Sequence, residues 1–188
     1  MSGNLPGAAP AGSPGDASRA QRLQALREAQ VVLVSACILG EACRYDGRSQ
    51  RSERVLQALA GKEVVPLCPE VGGGLPIPRP PVELHGGDGR RVLRGEARAL
   101  ERDSGTERTQ AFLAGAQLAL EAARRFGATV ALLKERSPSC GSQHVYVEGA
   151  LRPGEGITAA LLREAGVTVL SDEELPTGEH PPAAPVLV

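Results

Sequence analysis

The sequence predicts an α/β fold, a single Rossmann-like three-layer sandwich with a mainly parallel sheet. Two observations lead to this prediction. Short apolar, β-branched segments alternate with amphipathic helical segments, which is the pattern of parallel strands joined by crossover helices. Between ends rich in Gly, Pro and Ala, residues 30–175 have the length of one ordinary domain with a core of its own.

The first elements follow from local patterns. Residues 31–36 form a continuous apolar run typical of a buried strand. A polar loop is predicted over 37–50. The next segment, 51–61, predicts a helix with Ser52 as its N-cap and Gly61 at its end.

The middle of the chain contains fewer regular patterns. Residues 63–67 predict a second strand, with a proline that is tolerable near a strand end. Residues 69–81 hold three glycines and five prolines, so a long shaped loop is predicted there. Residues 82–102 are weakly patterned and suggest at most a small hairpin.

The last part returns to alternation. The strongest helix is predicted over 106–127, capped by Thr106 and ended by Gly127. Further elements are expected to follow in this order: a third strand over 128–133, a loop over 134–142, a short strand or hairpin including 145–147, a helix over 154–166 and a final strand over 167–171.

The ends differ in composition from the domain. We predict a disordered N-terminal extension over residues 1–29, in which 19–29 can form a short helix leading into the domain, and a flexible tail over 176–188. The N-terminus lacks the apolar segment of a secretory signal, so a cytoplasmic location is expected. In a reducing compartment, disulfides between the four cysteines are disfavoured.

Charge and composition exclude several function classes. Lys and Arg number 21 against 22 Asp and Glu, and aromatic residues make up 2% of the chain. Neither a basic surface nor stacking platforms for a nucleic acid polymer are therefore expected. No apolar run approaches the ~20 residues of a membrane helix, so no membrane contact is expected.

Three cysteines follow predicted strands. Cys37 comes directly after the first strand, Cys68 directly after the second, and Cys140 in the loop after the third. The carboxyl ends of parallel strands meet at one sheet edge, where ligands bind. We therefore expect these cysteines to converge. Their spacing does not match that of structural zinc sites.

Residue types alone leave several roles open for these cysteines. A single cysteine is most often a small buried hydrophobe. Cys140, in a turn with backbone amides nearby, could instead be a thiolate nucleophile of a hydrolase. Dispersed thiolates also suit an iron–sulfur cluster, although a full set normally has four ligands.

Four motifs resemble those of the DUF523 family. They are VSACILGEACRYDG (34–47), VPLCPEVGGGLPIPRPP (65–81), LLKERSPSCGS (132–142) and GEGITAALLREAGVTVLSDEEL (154–175). The family contains thiouracil desulfidases, in which three cysteines hold a [4Fe–4S] cluster and leave one iron free for the substrate sulfur. The resemblance implies Cys37, Cys68 and Cys140 as ligands and Glu70 and Ser137 as catalytic residues.

The implied function is hydrolysis of the C=S group of a thiolated pyrimidine nucleobase or nucleoside, with release of sulfide. Cys43 is expected near the site but not as a ligand, since a fourth thiolate would close the cluster. Arg44, Tyr45 and Asp46 are candidates for contacting a pyrimidine or for bracing their own loop. Arg79 could meet a substrate carbonyl or phosphate, or form a surface salt bridge. The alternative function is a non-catalytic iron–sulfur or metal-sensing domain with the same ligands.

Overall fold

The structure is a computed structural model that describes residues 17–177. The disorder predicted for residues 1–16 and the flexibility predicted for 178–188 lie outside the described residues. Seven α-helices and eight strands are present in the described part, followed by a 3-10 helix at Asp172–Glu174. None of these helices is both long and apolar enough to cross a membrane.

The bounds of the elements are as follows. The helices are α1 Arg19–Glu28, α2 Ala36–Leu39, α3 Glu53–Ala58, α4 Pro69–Gly72, α5 Gly89–Leu93, α6 Thr109–Phe126 and α7 Ile157–Glu164. The strands are β1 Val31–Ser35, β2 Glu63–Leu67, β3 Val82–His85, β4 Arg98–Glu101, β5 Val130–Leu133, β6 His144–Val147, β7 Ala150–Pro153 and β8 Thr168–Ser171.

The first sheet is parallel throughout, with strand order β2-β1-β5-β8. Its central strands are apolar on both sides because helices cover both faces. Helices α1 and α3 pack on one face through Leu26 and Val55, and α6 and α7 pack on the other through Leu120 and Leu162. These three layers confirm the predicted fold class.

A second sheet, with order β4-β3-β6-β7, was only partly predicted. Its pairs are antiparallel except for β3 with β6. It packs on α6 around Phe112, Leu84 and Val145. Its strands have only four residues each, and α5 interrupts the predicted hairpin, so the sequence carries little periodic signal there.

Two short helices replace parts of predicted loops. Helix α2 begins directly after β1, and α4 begins directly after β2. The Pro- and Gly-rich composition of residues 69–81 suggested no helix, but Pro69 occupies the first turn of α4. A proline is tolerated there because the first N–H groups of a helix have no intrahelical partner.

Predicted caps were partly correct. Ser52 caps α3 by accepting the N–H of Val55, and Gly127 ends α6 with φ 69° in the left-handed region. The prediction for Thr106 was wrong, because α6 begins at Thr109 after Arg108. The Thr109 hydroxyl instead accepts the N–H of Ala99, which ties the helix to β4.

The N-terminal helix belongs to the packed structure. Helix α1 buries Leu26 against the first sheet, and Arg22 forms an ion pair with Glu174. Arg19 donates to the backbone oxygen of Glu174 through Nε, at 2.9 Å. Residues 17–29 therefore differ from the disordered extension that their neighbours' composition predicted.

Candidate metal centre and active site

A cavity of about 450 Å³ lies at the carboxyl ends of the first sheet. The segments that follow β1, β2, β5 and β8 all contribute to its wall, and β3, β4 and β6 of the second sheet close another side. The chain leaves β1 for β2 on one side, whereas β5 pairs on the other side. The cavity thus lies at the switch point where α/β sheets bind ligands.

All four cysteines line this cavity, as the position of three of them after strands predicted. The thiol of Cys43 lies near those of Cys37 and Cys68, whose influence shifts its pKa. The Cys68 Sγ also lies 3.6 Å from the backbone oxygen of Cys43. Cys140 is buried on the wall supplied by the segment after β5.

The protein environment favours the protonated form of Cys43, Cys68 and Cys140. Hydrogen bonding to Cys37, together with burial, raises the pKa of Cys43 to about 11. The hydrogen bond to Cys43 and burial raise the pKa of Cys68 well above its ordinary value. Burial raises the pKa of Cys140 to about 12, which disfavours a free thiolate nucleophile at this position.

The donor set suits a cluster better than a single ion. Among residues 17–177, no group of three or more His, Cys, Asp or Glu side chains is compact enough to hold one metal ion. Thiolates are soft ligands that select iron–sulfur clusters, zinc or Cu(I). A cluster is wider than an ion, so the residues of this wall fit a cluster bound by thiolates on separate strands.

Glu70 lies in the first turn of α4, two residues after Cys68, and lines the cavity. The Nε and Nη2 atoms of Arg79 lie 2.8 and 2.7 Å from its Oε2. Arg79 was predicted to contact substrate or to form a surface salt bridge. It does form a salt bridge, but a buried one in the wall of the cavity, with 4% of the Arg79 side chain exposed. The substrate contact stays a prediction.

Ser137 connects Glu70 to the loop that carries Cys140. Its hydroxyl oxygen accepts the N–H groups of Ser139 and Cys140, at 3.1 and 3.0 Å. The same hydroxyl donates to Oε1 of Glu70 at 3.4 Å. A serine hydroxyl has two acceptor sites and one donor, so its only proton is directed at the carboxylate.

The carboxylate of Glu135 is hydrogen bonded to the backbone that follows Cys140. It accepts the backbone N–H groups of Ser142, Gln143 and His144, at 3.2, 3.0 and 2.7 Å. Burial opposes ionisation, but these donors outweigh it and hold the pKa of Glu135 below its ordinary value. An ionised Glu135 thus fixes the path of residues 142–144.

The residues after Cys43 have separate roles. Arg44 and Tyr45 line the cavity, and the Arg44 guanidinium lies 5.7 Å from the centre of the Tyr45 ring. Asp46 is not part of the wall. It accepts the N–H of Arg48 at 3.1 Å and pairs with Arg44, so it braces this turn, one of the two roles considered for it.

Several wall residues were missed by sequence reasoning. Lys134 and Glu135 follow β5 directly, so the strand-end argument that selected Cys37 and Cys68 could have found them. Tyr146 lies in β6 of the second sheet and Arg102 directly follows β4, and these short strands gave no such signal. Both tyrosines of the chain therefore line the cavity.

Comparisons with known proteins show the family of this chain. The model of the 2-thiouracil desulfurase family matches residues 32–174, which include all four cysteines, Glu70 and Ser137. The chain belongs to this family. The resemblance seen in the four sequence motifs is thereby confirmed.

Two relatives illustrate this membership. The uncharacterized protein YbbK of Bacillus subtilis (strain 168) is 41% identical over 148 residues, which are 77% of this chain and 97% of that protein. A solved structure of the [4Fe-4S]-dependent thiouracil desulfidase TudS is 43% identical, with a TM-score of 0.67. That match covers 78% of this chain and 93% of the TudS chain, so the desulfurase-family domain is compared almost whole.

Proposed function

We propose that this protein is a [4Fe–4S]-dependent desulfidase that hydrolyses the C=S group of a thiolated pyrimidine to C=O. One water is consumed and one sulfide is released, so the reaction needs no external electron donor. The observation that carries this proposal is the convergence of Cys37, Cys68 and Cys140 with Glu70 in one cavity. The similarity to TudS, whose name states both cluster and substrate, supports it.

Cys37, Cys68 and Cys140 would hold the cluster, and Cys43 would stay unligated beside it. Cys37 and Cys68 follow β1 and β2 within two residues. Cys140 lies in the loop after β5, where its N–H donates to the Ser137 hydroxyl. When bound, a cluster with one iron free of protein ligands supplies a thiophilic Lewis acid for the substrate sulfur. Because Cys68 and Cys140 have raised pKa values, both release protons when the cluster is loaded.

Glu70 is the group placed to move a proton. Arg79 occupies Oε2, which leaves Oε1 facing Ser137 and the cavity. Through Oε1 the carboxylate can accept a proton from the water that attacks the C=S carbon, or donate a proton to the leaving sulfur. Ser137 cannot serve as a base, because both acceptor sites of its oxygen are filled by backbone N–H groups. It acts by holding its proton toward Glu70.

The cavity has room for a small planar substrate. Its volume of about 450 Å³ lies within the range of roughly 300–1,000 Å³ typical of small-molecule sites. Tyr45 and Tyr146 offer aromatic surfaces for a pyrimidine ring. A free thiolated nucleobase or its nucleoside is the substrate class that this wall suits.

The test is purification without oxygen, followed by two measurements. Iron content and broad visible absorption at about 400 nm report the cluster, and sulfide release from thiouracil reports the activity. We expect both in the wild-type protein and neither after removal of iron. A loaded protein that releases no sulfide from thiolated bases or nucleosides would contradict the enzyme and support the sensing alternative. A protein that loads no cluster would contradict both.

A further inference from the structure

Two roles were considered for Arg79 from the sequence, a contact with substrate and a surface salt bridge. Its buried position beside Glu70 suggests a third role. We propose that Arg79 is a positioning residue that sets the orientation of the Glu70 carboxylate, and that it does not bind substrate. This inference rests on the proposed desulfidase function. It is carried by the hydrogen bonds of the guanidinium, which are directed into the protein.

The guanidinium has few donors left for a ligand. Nε donates to Glu70, Nη1 donates to the backbone oxygen of Pro76 at 3.2 Å, and Nη2 donates to the backbone oxygen of Cys43 at 3.1 Å. Nη2 also lies 2.7 Å from Glu70 Oε2. An arginine has five N–H donors, and three of them are used in these hydrogen bonds. With 4% of its side chain exposed, Arg79 is a poor anchor for a substrate.

The contacts divide the two oxygens of Glu70 between different partners. Both nitrogen contacts of Arg79 are to Oε2, whereas Oε1 receives the Ser137 hydroxyl. Rotation of the carboxylate would break the charged contacts with Arg79, which are stronger than a neutral hydrogen bond. Arg79 therefore keeps Oε1 as the atom available for proton transfer.

The same guanidinium links Glu70 to the cysteine loop. The backbone oxygen of Cys43 accepts Nη2 of Arg79 and also contacts the thiol of Cys68. The backbone N–H of Arg79 donates to the oxygen of Tyr45 at 2.8 Å, so two hydrogen bonds tie residue 79 to the 43–45 segment. A lysine has no planar fork and cannot make all of these contacts together.

The decisive experiment is a double-mutant cycle on anaerobically loaded protein, with Arg79→Lys, Glu70→Gln and the double variant. If Arg79 acts through Glu70, Arg79→Lys lowers kcat by about 10–100-fold, the usual effect of a residue that orients a reacting group. It should leave KM unchanged. In the Glu70→Gln background, the same change should lower kcat no further, because the carboxylate it positions is gone.

Two further measurements separate positioning from other roles. Iron per chain and the thermal midpoint are measured for each variant, and thiouracil binding is followed by the change in visible absorption. We expect Arg79→Lys to retain iron and to bind thiouracil with wild-type affinity. Arg79→Gln, which keeps two N–H donors without the charge, serves as the second variant if the lysine does not fold. Arg91→Lys, in an exposed ion pair with Glu96, is the matched control and should have wild-type turnover.

Three outcomes would overturn the proposal. Weaker thiouracil binding with retained kcat would make Arg79 a substrate anchor. Losses that multiply in the double variant would show that it acts independently of Glu70. Loss of iron in both Arg79 variants, with iron retained in Glu70→Gln, would show that Arg79 instead supports the cysteine loop and thereby cluster binding. If the wild-type protein and Arg91→Lys release no sulfide either, the proposed function itself is contradicted. If only the Arg79 variants fail, the proposed function stands.

Discussion

The two proposed catalytic side chains differ in how many of their polar atoms are already hydrogen bonded. Ser137 has both acceptor sites filled, so its chemistry is limited to one donated proton. Glu70 has one oxygen held by Arg79 and one turned to Ser137. The capacity to exchange a proton with substrate thus lies with one oxygen of one carboxylate.

Replacement of Glu70 should therefore separate turnover from cluster binding. Glu70→Gln removes the proton-transfer group but no proposed ligand, so iron content should persist while turnover falls by ~10²–10⁴. Glu70→Asp shortens the reach by one methylene and should have intermediate turnover. Sulfide release per bound cluster is the measurement. Undiminished turnover in the Gln variant with an intact cluster would rule out the role.

The cysteines should differ in how strongly each holds iron. Replacement of Cys37, Cys68 or Cys140 by Ser removes a proposed thiolate ligand, and iron content and activity should both be lost. Cys43→Ser should retain substantial iron, since a fourth thiolate would close the cluster and Cys43 is not among the three proposed ligands. Iron per chain after anaerobic reconstitution is the measurement. Loss of the cluster in Cys43→Ser, with its retention in one of the other three, would show that the ligand set is wrong.

The carboxylate of Glu135 should make stability depend on pH. Its pKa is lowered in the folded protein, so its contribution is complete above the ordinary glutamate pKa of about 4.3 and is lost as the pH falls through the lower folded value. The thermal midpoint of the wild-type protein should therefore fall more steeply below about pH 4.3 than that of Glu135→Gln.

Glu135→Gln should also be less stable than the wild-type protein at neutral pH. Its amide cannot accept all three backbone N–H groups, so the free energy of unfolding should drop by about 1–3 kcal/mol. Glu63→Gln, at an exposed position, is the control and should match the wild-type profile. Parallel acid profiles for wild type and Glu135→Gln would refute the assignment.

At the scale of elements, the site depends on the close contact between α4 and α6. A Cβ on Gly115 would lie 1.9 Å from the backbone oxygen of Pro69, and one on Gly73 would lie 2.0 Å from that of Ala111. The two helices can approach this closely only because both positions lack a side chain. Helix α4 carries Glu70 and follows Cys68, so this packing sets the position of the carboxylate.

Gly115→Ala should push α4 away from α6. Overpacking of this kind costs about 1–3 kcal/mol of stability, and the shift of Cys68 and Glu70 should lower both iron content and turnover. Gln117→Ala, at an exposed position on the same helix, is the control. Urea unfolding and iron analysis provide the measurements. Wild-type values for both in Gly115→Ala would show that the contact is dispensable.

At the scale of the whole molecule, α1 extends the folded unit beyond the predicted domain boundary. It buries Leu26 against the first sheet, and Arg22 holds Glu174 beside the 3-10 helix that supplies Glu173 to the cavity wall. The N-terminal helix and the end of β8 are therefore coupled, although they lie at opposite ends of the described chain.

Two truncated chains should reveal this coupling. A chain starting at residue 30 lacks α1, and loss of the buried Leu26 alone should reduce the free energy of unfolding by about 1.5–3 kcal/mol. A chain starting at residue 17 keeps α1 and is the matched control. Denaturant unfolding of the two proteins gives the difference. Equal stability would mean that α1 contributes nothing to the folded unit.

How far each part could be predicted depends on the range of the interactions that form it. The strands of the first sheet have apolar centres and alternate with helical segments, so β1, β2, β5 and β8 were predicted within a few residues. The second sheet is built from four-residue strands, and its pairing of β3 with β6 joins segments about 60 residues apart. Local patterns contain little information about such pairs.

The sequence by itself determined that three cysteines meet at one edge of a parallel sheet, and its motifs indicated the family. Both follow from local signals, since a buried strand is apolar along its length and a parallel sheet brings strand ends together. Only the tertiary structure decided that Arg79 lies buried behind Glu70, that Asp46 stays outside the wall, and that the second sheet closes the cavity. Those outcomes depend on where irregular loops bring side chains that are distant in sequence, and no periodicity encodes that path.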